Sequence, residues 1–210
     1  MSSLKTNPPE DWLSRATRII LEGGLVALPF ERLFGIAGDA ENPQVLARII
    51  TAKGRNAARK KQPISVVGFD LETLSPFIER IPKLAQSLID SYWPGPVTIL
   101  LPAGPNVPEP LVSDRGLIGV RVPGASPSLD LARATGRVLT ATSANPTGGK
   151  DVVSAQQLRQ LGLDGIDMIV DGTVPGPPGS TVVDASGRIP RVLRPGIVKI
   201  EAAGRNTGEG

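Results

Sequence analysis

The 210-residue chain contains no cysteine and no histidine. The first absence excludes disulfides and every thiolate nucleophile or ligand. The second removes the usual general base near neutral pH, the commonest zinc ligand and any Ser-His-Asp triad. Aromatic residues are scarce as well, at 3% of the chain. A core must therefore be built from Leu, Ile, Val and Ala, and there are too few rings for a base-stacking platform. No apolar run approaches membrane-spanning length. The opening residues, MSSLKTNPPEDW, are polar and lack a signal-peptide apolar region. A cytoplasmic protein with no membrane partner is expected.

What is present is ordinary in bulk and uneven in detail. Hydrophobic residues make up 40% and charged residues 20%, as in a globular protein long enough to bury a substantial core. Twenty-four glycines and 21 prolines announce many tight turns. The net charge of +3 is clumped, with Lys53, Arg55, Arg59, Lys60 and Lys61 inside nine residues. Such a clump suits phosphate groups, a nucleotide or nucleic acid. A solvated charged loop explains it equally well. Chemistry in this chain must rest on positioning, cations and a bound cofactor or metal.

Local signals place the elements. Acidic residues after Pro8-Pro9 and the helical recurrence of Trp12, Leu13, Ala16, Ile19 and Ile20 predict a helix ended by Gly23-Gly24. Residues 25–28 read as a strand, and residues 30–35 as the loop at its end. Asn42-Pro43 starts a second helix whose C-terminus carries Lys53 and Arg55, where the dipole favours cations. Strands are expected at 64–67, 97–101, 117–122, 138–140, 168–170, 181–184 and 191–193. Helices are expected near 71–78 and 82–92, from Ser126-Pro127 to about Thr135, and from Ser154 to Leu161. The expected fold is a single α/β domain over 1–210, with a twisted mixed open sheet flanked by helices. Its core spans about 10–200, and residues 201–210 form a polar tail.

One stretch stands out, VLTATSANPTGG at 138–149. A buried strand opens into a turn that brings together a hydroxyl, a carboxamide and a glycine pair. In open α/β sheets ligands bind where strands end. Glycines there let backbone N–H groups approach an anion. Local turn hydrogen bonds explain Ser143 and Asn145 without any ligand.

Six motifs occur in a fixed order: Lys53-Gly54-Arg55, Trp93-Pro94-Gly95-Pro96-Val97-Thr98, Val120-Arg121-Val122-Pro123, Thr142-Ser143-Ala144-Asn145, Ser180-Thr181-Val182-Val183-Asp184 and Leu193-Arg194-Pro195-Gly196. Together they resemble the YrdC/Sua5 family, the threonylcarbamoyl-AMP synthases, from Leu25 to Ile200. The resemblance implies a twisted α/β sheet with a basic concave cavity. It implies a nucleotidyltransferase that makes threonylcarbamoyl-adenylate and pyrophosphate from ATP, bicarbonate and L-threonine, for threonylcarbamoyladenosine in tRNA. Mg2+ accompanies the ATP, and downstream threonylcarbamoyl-transferase proteins consume the product.

By the same resemblance Lys53 and Arg55 lie on the triphosphate. Ser143, Asn145, Ser180 and Arg194 hold the nucleotide, and Gln62 stands where an asparagine often touches ATP. Arg121 matches the arginine that meets the amino acid, with Arg32 and Ala141 beside it. No residue is assigned as a catalytic acid or base, and none to the metal. The loop after the first strand departs from the family's P-T-[DE]-T-x-[YF]-G-[LI]. Here it reads Pro29-Phe30-Glu31-Arg32-Leu33-Phe34-Gly35-Ile36, with Phe30 and Arg32 in place of both threonines. The strand at 64–67 ends in Val67 where many members have a histidine, and the segment between Arg55 and Pro63 is longer. The nucleotide half of the site is therefore expected intact and the amino-acid half altered. Arg32 is expected to pair with Glu31, to face solvent or to reshape the amino-acid pocket. Two other readings compete: a paralogue using a different amine or carbamoyl substrate, and a non-catalytic protein that binds RNA through the basic concavity. RNA binding is expected to be weak and electrostatic.

Overall fold

A computed structural model of the chain describes residues 12–54 and 63–200. Its centre is a nine-stranded mixed sheet. The strands are β1 (Val26–Pro29), β2 (Phe34–Ala37), β3 (Ser65–Val67), β4 (Val97–Pro102), β5 (Leu117–Arg121), β6 (Leu139–Ser143), β7 (Met168–Ile169), β8 (Thr181–Asp184) and β9 (Arg191–Arg194). Their order across the sheet is β7-β1-β2-β6-β3-β5-β4-β8-β9. The pairs β1–β7, β3–β5 and β4–β8 are parallel and the rest antiparallel.

Among the described residues six α-helices cover the sheet: α1 (Trp12–Leu21), α2 (Pro43–Ala52), α3 (Leu71–Leu74), α4 (Lys83–Tyr92), α5 (Pro127–Thr135) and α6 (Ala155–Leu161). None of the described helices is long and apolar enough to cross a membrane. The starts follow their caps. The Asn42 carboxamide oxygen accepts from the N–H groups of Gln44 at 2.9 Å and Val45 at 3.4 Å, with Pro43 at the first turn. Ser154 accepts from Gln157 N–H at 3.1 Å. Ser126 stands at the N-cap of α5 but does not cap it; its hydroxyl donates instead to the Gly124 carbonyl at 2.8 Å. Gly136 and Gly162 end α5 and α6 in the left-handed conformation.

The core is aliphatic, as the shortage of rings requires. One layer packs α2 and α4 (Val45, Leu46, Ile49, Leu88, Ile89) against Ile36, Ile99, Leu101 and Val120. The other packs α1 and α5 (Ala16, Ile20, Leu131, Ala132) against Val26, Leu28, Val67 and Leu139. The expected strands are present with small shifts, and one was missed. Residues 34–37 form β2, which pairs antiparallel with β1 in the register Pro29↔Phe34. Residues 30–33 are thus a hairpin tip, shorter than the loop at 30–35 that the sequence suggests.

Candidate active site

A cavity of about 600 Å³ lies on one face of the sheet. Side chains two residues apart on a strand share a face, so neighbouring strands each contribute an i, i+2 pair. Gly119 and Arg121 come from β5, Ala141 and Ser143 from β6, and Thr98 and Leu100 from β4. Ser65 of β3 and Gly35 of β2 complete the floor. Small residues there create the hollow. A Cβ on Gly119 would meet Ser65 Oγ at 2.7 Å, and one on Gly35 would meet the Phe30 ring at 2.4 Å.

One side of the cavity is built by the turn after β6. Lys53 is the C-cap of α2 and almost wholly buried. Its Nζ donates to the carbonyls of Ser143 at 2.5 Å and Asn145 at 2.8 Å. Thr147 returns both its amide and its hydroxyl to the Lys53 carbonyl, each at 3.0 Å. Ser143 Oγ donates to Asn145 Oδ1 at 2.5 Å, and Asn145 Nδ2 donates to the Gly149 carbonyl at 2.6 Å. The helix end and the S-x-N turn are therefore one hydrogen-bonded unit with an ammonium at its centre. Local turn bonding and placement beside the cavity hold together here; neither excludes the other.

The next wall is the start of β8 with the end of β9. Arg194 donates through Nη2 to the Ser180 carbonyl at 3.0 Å and hydroxyl at 2.9 Å, and through Nε to the same carbonyl at 3.3 Å. Ser180 Oγ also lies 3.2 Å from Thr98 Oγ1. Arg194 reaches solvent, but partial desolvation of its guanidinium against the cavity wall, then the positive charge of Arg121, push its pKa below the ordinary value, and Asp151 partly offsets them. Both cations thus feel one another across the cavity. Gly196 explains the third residue of Arg194-Pro195-Gly196: a Cβ there would sit 2.3 Å from the Thr181 nitrogen.

The opposite wall is different in kind. Arg121 Nη1 forms a 2.8 Å ion pair with Glu31 Oε2, with the two side chains 8% and 14% exposed. Glu31 Oε1 accepts from Gly124 N–H at 2.9 Å. The Arg121 guanidinium lies 5.7 Å from the centre of the Phe30 ring, a cation–π arrangement, and the ring is seated on Gly35. Arg32 neither pairs with Glu31 nor turns freely to solvent. It donates through Nε to the Pro178 carbonyl at 3.2 Å and through Nη2 to the Pro177 carbonyl at 3.4 Å.

The structure thus brings Lys53, Ser143, Asn145, Ser180, Arg194, Arg32, Arg121 and Ala141 to one cavity. Arg55 and Gln62, with Arg59, Lys60 and Lys61, lie outside the described residues. Sequence reasoning offered Glu31 only as a partner for Arg32, not for Arg121, and gave no role to Thr98 or the floor glycines. Thr98 closes the Trp-Pro-Gly-Pro-Val-Thr motif, and its alternation with Leu100 was the available signal. Among the described residues no group of three or more His, Cys, Asp or Glu side chains is placed to hold a metal ion.

The family model Sua5/YciO/YrdC, described as telomere recombination, matches residues 18–196. A threonylcarbamoyl-AMP synthase of Pyrococcus abyssi is 34% identical over 203 residues, covering 95% of this chain and 58% of that protein. One of Bacillus subtilis is 34% identical over 205 residues, covering 94% and 56%. The crystal structure of Pyrococcus abyssi Sua5 complexed with L-threonine superposes with a TM-score of 0.81 at 33% identity, covering 89% of this chain and 55% of that one. The chain therefore spans just over half the length of these relatives. A match over this much of the sequence, on the sheet and cavity just described, places the chain in the Sua5/YciO/YrdC family.

Proposed function

We propose that the chain is a threonylcarbamoyl-AMP synthase, forming threonylcarbamoyl-adenylate and pyrophosphate from ATP, bicarbonate and L-threonine. The observation that carries this reading is the meeting of Lys53, Arg194 and the Ser143–Asn145 turn with Arg121 around one cavity. The relatives named as synthases, and the threonine complex of one of them, agree with it.

The reaction asks for little acid–base chemistry, which fits a chain without histidine. The free amine of threonine attacks the bicarbonate carbon. A C–N bond forms, and hydroxide leaves with the amine proton as water. A carbamate oxygen then attacks the α-phosphorus as the bond to the pyrophosphate oxygen breaks. Alignment and neutralisation of phosphate charge supply the catalysis. Arg194 and Lys53 face the triphosphate, with Ser143, Asn145 and Ser180 adding neutral contacts. Arg121 keeps Nη2 and Nε for the amino-acid carboxylate while Nη1 stays on Glu31. Ala141 borders the same space.

Magnesium is handled by the nucleotide in this reading. Glu31 is the one carboxylate among the described residues lining the cavity, and Arg121 and Gly124 already engage it. The described residues do not fit a protein metal cage, so Mg2+ would enter with the ATP rather than on a site of the protein. The basic clump runs in sequence from Lys53, which lines the cavity, to Lys61. Any tRNA contact it makes is electrostatic, with affinity falling steeply as salt rises.

The test is pyrophosphate release with ATP and bicarbonate across the twenty amino acids. The expected result is release that requires both and is fastest with threonine. Release that is fastest with another amino acid would assign the chain to a paralogue of different specificity. No release with any amino acid, alongside tight and salt-insensitive RNA binding, would leave the RNA-binding reading.

A further inference from the structure

Arg32 is the residue most foreign to the loop it occupies, and its contacts do not point into the cavity. We infer that Arg32 is a positioning residue: it clasps the glycine–proline segment 172–179 and thereby fixes Ser180 for the nucleotide.

The clasp is made twice over. The Arg32 side chain donates to the carbonyls of Pro177 and Pro178, and the Arg32 carbonyl accepts from Gly176 N–H at 3.0 Å. Leu33 then packs on Gly179 so closely that a Cβ there would meet its Cδ1 at 2.9 Å. Residues 172–174 are tied to 153–155 by Val174 N–H on the Val153 carbonyl and Ala155 N–H on the Gly172 carbonyl, but prolines 175, 177 and 178 have no N–H to donate, so 175–178 has no such ladder. Guanidinium donors in a fixed fork suit two successive carbonyls. Two residues beyond Pro178 stands Ser180, gripped from the other side by Arg194, Thr98 and the close approach of Gly196. The stretch 177–181 is thus held at both ends, by Arg32 at one and by Arg194 with Gly196 at the other.

The neighbour of Arg32 makes the placement consequential. Glu31 on the same hairpin tip holds Arg121 and Gly124. Four residues between β1 and β2 therefore bind the amino-acid wall with one side chain and the nucleotide wall with the next. An arginine where the family pattern has a threonine exchanges a small group facing the substrate for a brace on the loop opposite.

The nucleotide part of this inference rests on the proposed synthase reading, but the clasp does not, and the experiment separates them. Amide hydrogen exchange is measured on the full chain for wild type, Arg32→Ala and Arg32→Lys, with ATP affinity by calorimetry. KM values for ATP and for the best amino acid are measured where turnover is present. For Arg32→Ala, exchange across 172–181 is expected to quicken by about tenfold while the rest of the sheet is unchanged. ATP affinity should fall by about fivefold, with the amino-acid KM within about twofold. Arg32→Lys, which keeps one charged donor, should recover part of both effects. Unchanged exchange across 172–181 overturns the clasp. A raised amino-acid KM with ATP affinity intact overturns the positioning role and makes Arg32 a substrate contact. If the wild type turns nothing over, the exchange result still decides the clasp and calorimetry its link to ATP, while the synthase reading alone fails.

Discussion

The two walls of the cavity use the same residue type in opposite ways. Arg194 is held by neutral oxygens, the carbonyl and hydroxyl of Ser180, and stands on an exposed strand. Arg121 is held by a carboxylate, with both partners largely buried. Neutral acceptors orient a guanidinium without cancelling its charge, so that charge remains for an anionic ligand. A buried carboxylate offsets part of it and fixes one edge of the guanidinium, so the pair also serves the structure. On the proposed reading the Arg194 wall therefore keeps its charge for phosphate, whereas the Arg121 wall holds its shape through Glu31 and offers only its remaining guanidinium edge to the amino acid.

The comparison breaks most sharply at Arg121. Removing one member of a buried pair leaves an uncompensated charge and costs about 3–5 kcal/mol, whereas replacing both by apolar groups of similar size is close to neutral. Arg121→Met should lower the unfolding free energy obtained from urea titration by an amount in that range, and Glu31→Leu with Arg121→Met should recover most of it. If the single variant is as stable as wild type, the amino-acid wall is not the structural element described here.

A second, smaller effect tests whether the nucleotide wall has a rigid element of its own. Gly196→Ala drives a Cβ into the backbone of Ser180 and Thr181. Overpacking of this kind costs about 1–3 kcal/mol, and it should weaken ATP binding because Ser180 must move. Gly187→Ala, where a Cβ meets nothing, should leave both unchanged within about 0.5 kcal/mol. Equal behaviour of the two alanine variants in urea unfolding and ATP calorimetry would remove the role given to the close approach.

Arg194→Ala then completes the contrast with Arg121. Charge-assisted hydrogen bonds contribute about 1.5–3 kcal/mol each, so ATP affinity should fall about tenfold or more by calorimetry. The urea midpoint should hardly move, because the residue is exposed and its partners can turn to water. Unchanged ATP affinity would show that the charge is not used as proposed.

Much of this was legible in the sequence, for reasons that differ by residue. Asn42-Pro43 and Ser154 mark helix starts because a cap is a local event between residues two or three apart. Ser126 looks the same and is not a cap: its hydroxyl donates to the Gly124 carbonyl and its oxygen accepts from no helix N–H. Strand β2 was hidden because all four of its residues are buried, which erases the alternation that marks a half-buried strand. The placing of Ser143, Asn145, Ser180 and Arg194 around one cavity followed from the resemblance of ordered motifs. The Glu31–Arg121 pair joins residues 90 apart and the Arg32–Pro178 contact residues 146 apart. No local pattern reports such contacts, so the amino-acid wall was expected to be altered through Arg32, but neither of these contacts was foreseen. The floor glycines and Ala141 were hard to read for another reason: what they contribute is missing volume.

The smallest expected effect concerns a carboxylate behind the nucleotide wall. Asp184 ends β8 and is 4% exposed. Burial pushes its pKa up, but three partners outweigh that: the Ser186 hydroxyl at 2.6 Å, the Ser186 amide at 3.0 Å and Arg115 at 2.5 Å hold it below the ordinary value of 3.8. A folded pKa below the unfolded one means that the unfolded chain binds the proton first as acid is added. The stabilisation is then fully present above the unfolded value of about 4 and is lost as pH falls through the folded one. Asp184→Asn should therefore be less stable than wild type at pH 7, and the gap should narrow below about pH 4. Urea midpoints for both proteins at pH 7 and pH 3 measure this directly. Because Ser186 supplies two of the three bonds and Arg115 is exposed, most of the gap should survive Arg115→Ala, unlike the collapse expected when Glu31 loses Arg121. A gap of equal size at both pH values would mean that Asp184 is held by packing rather than by its charge. Support at this carboxylate would then owe nothing to ionisation, and the electrostatic contrast between the two walls would rest on Glu31 alone.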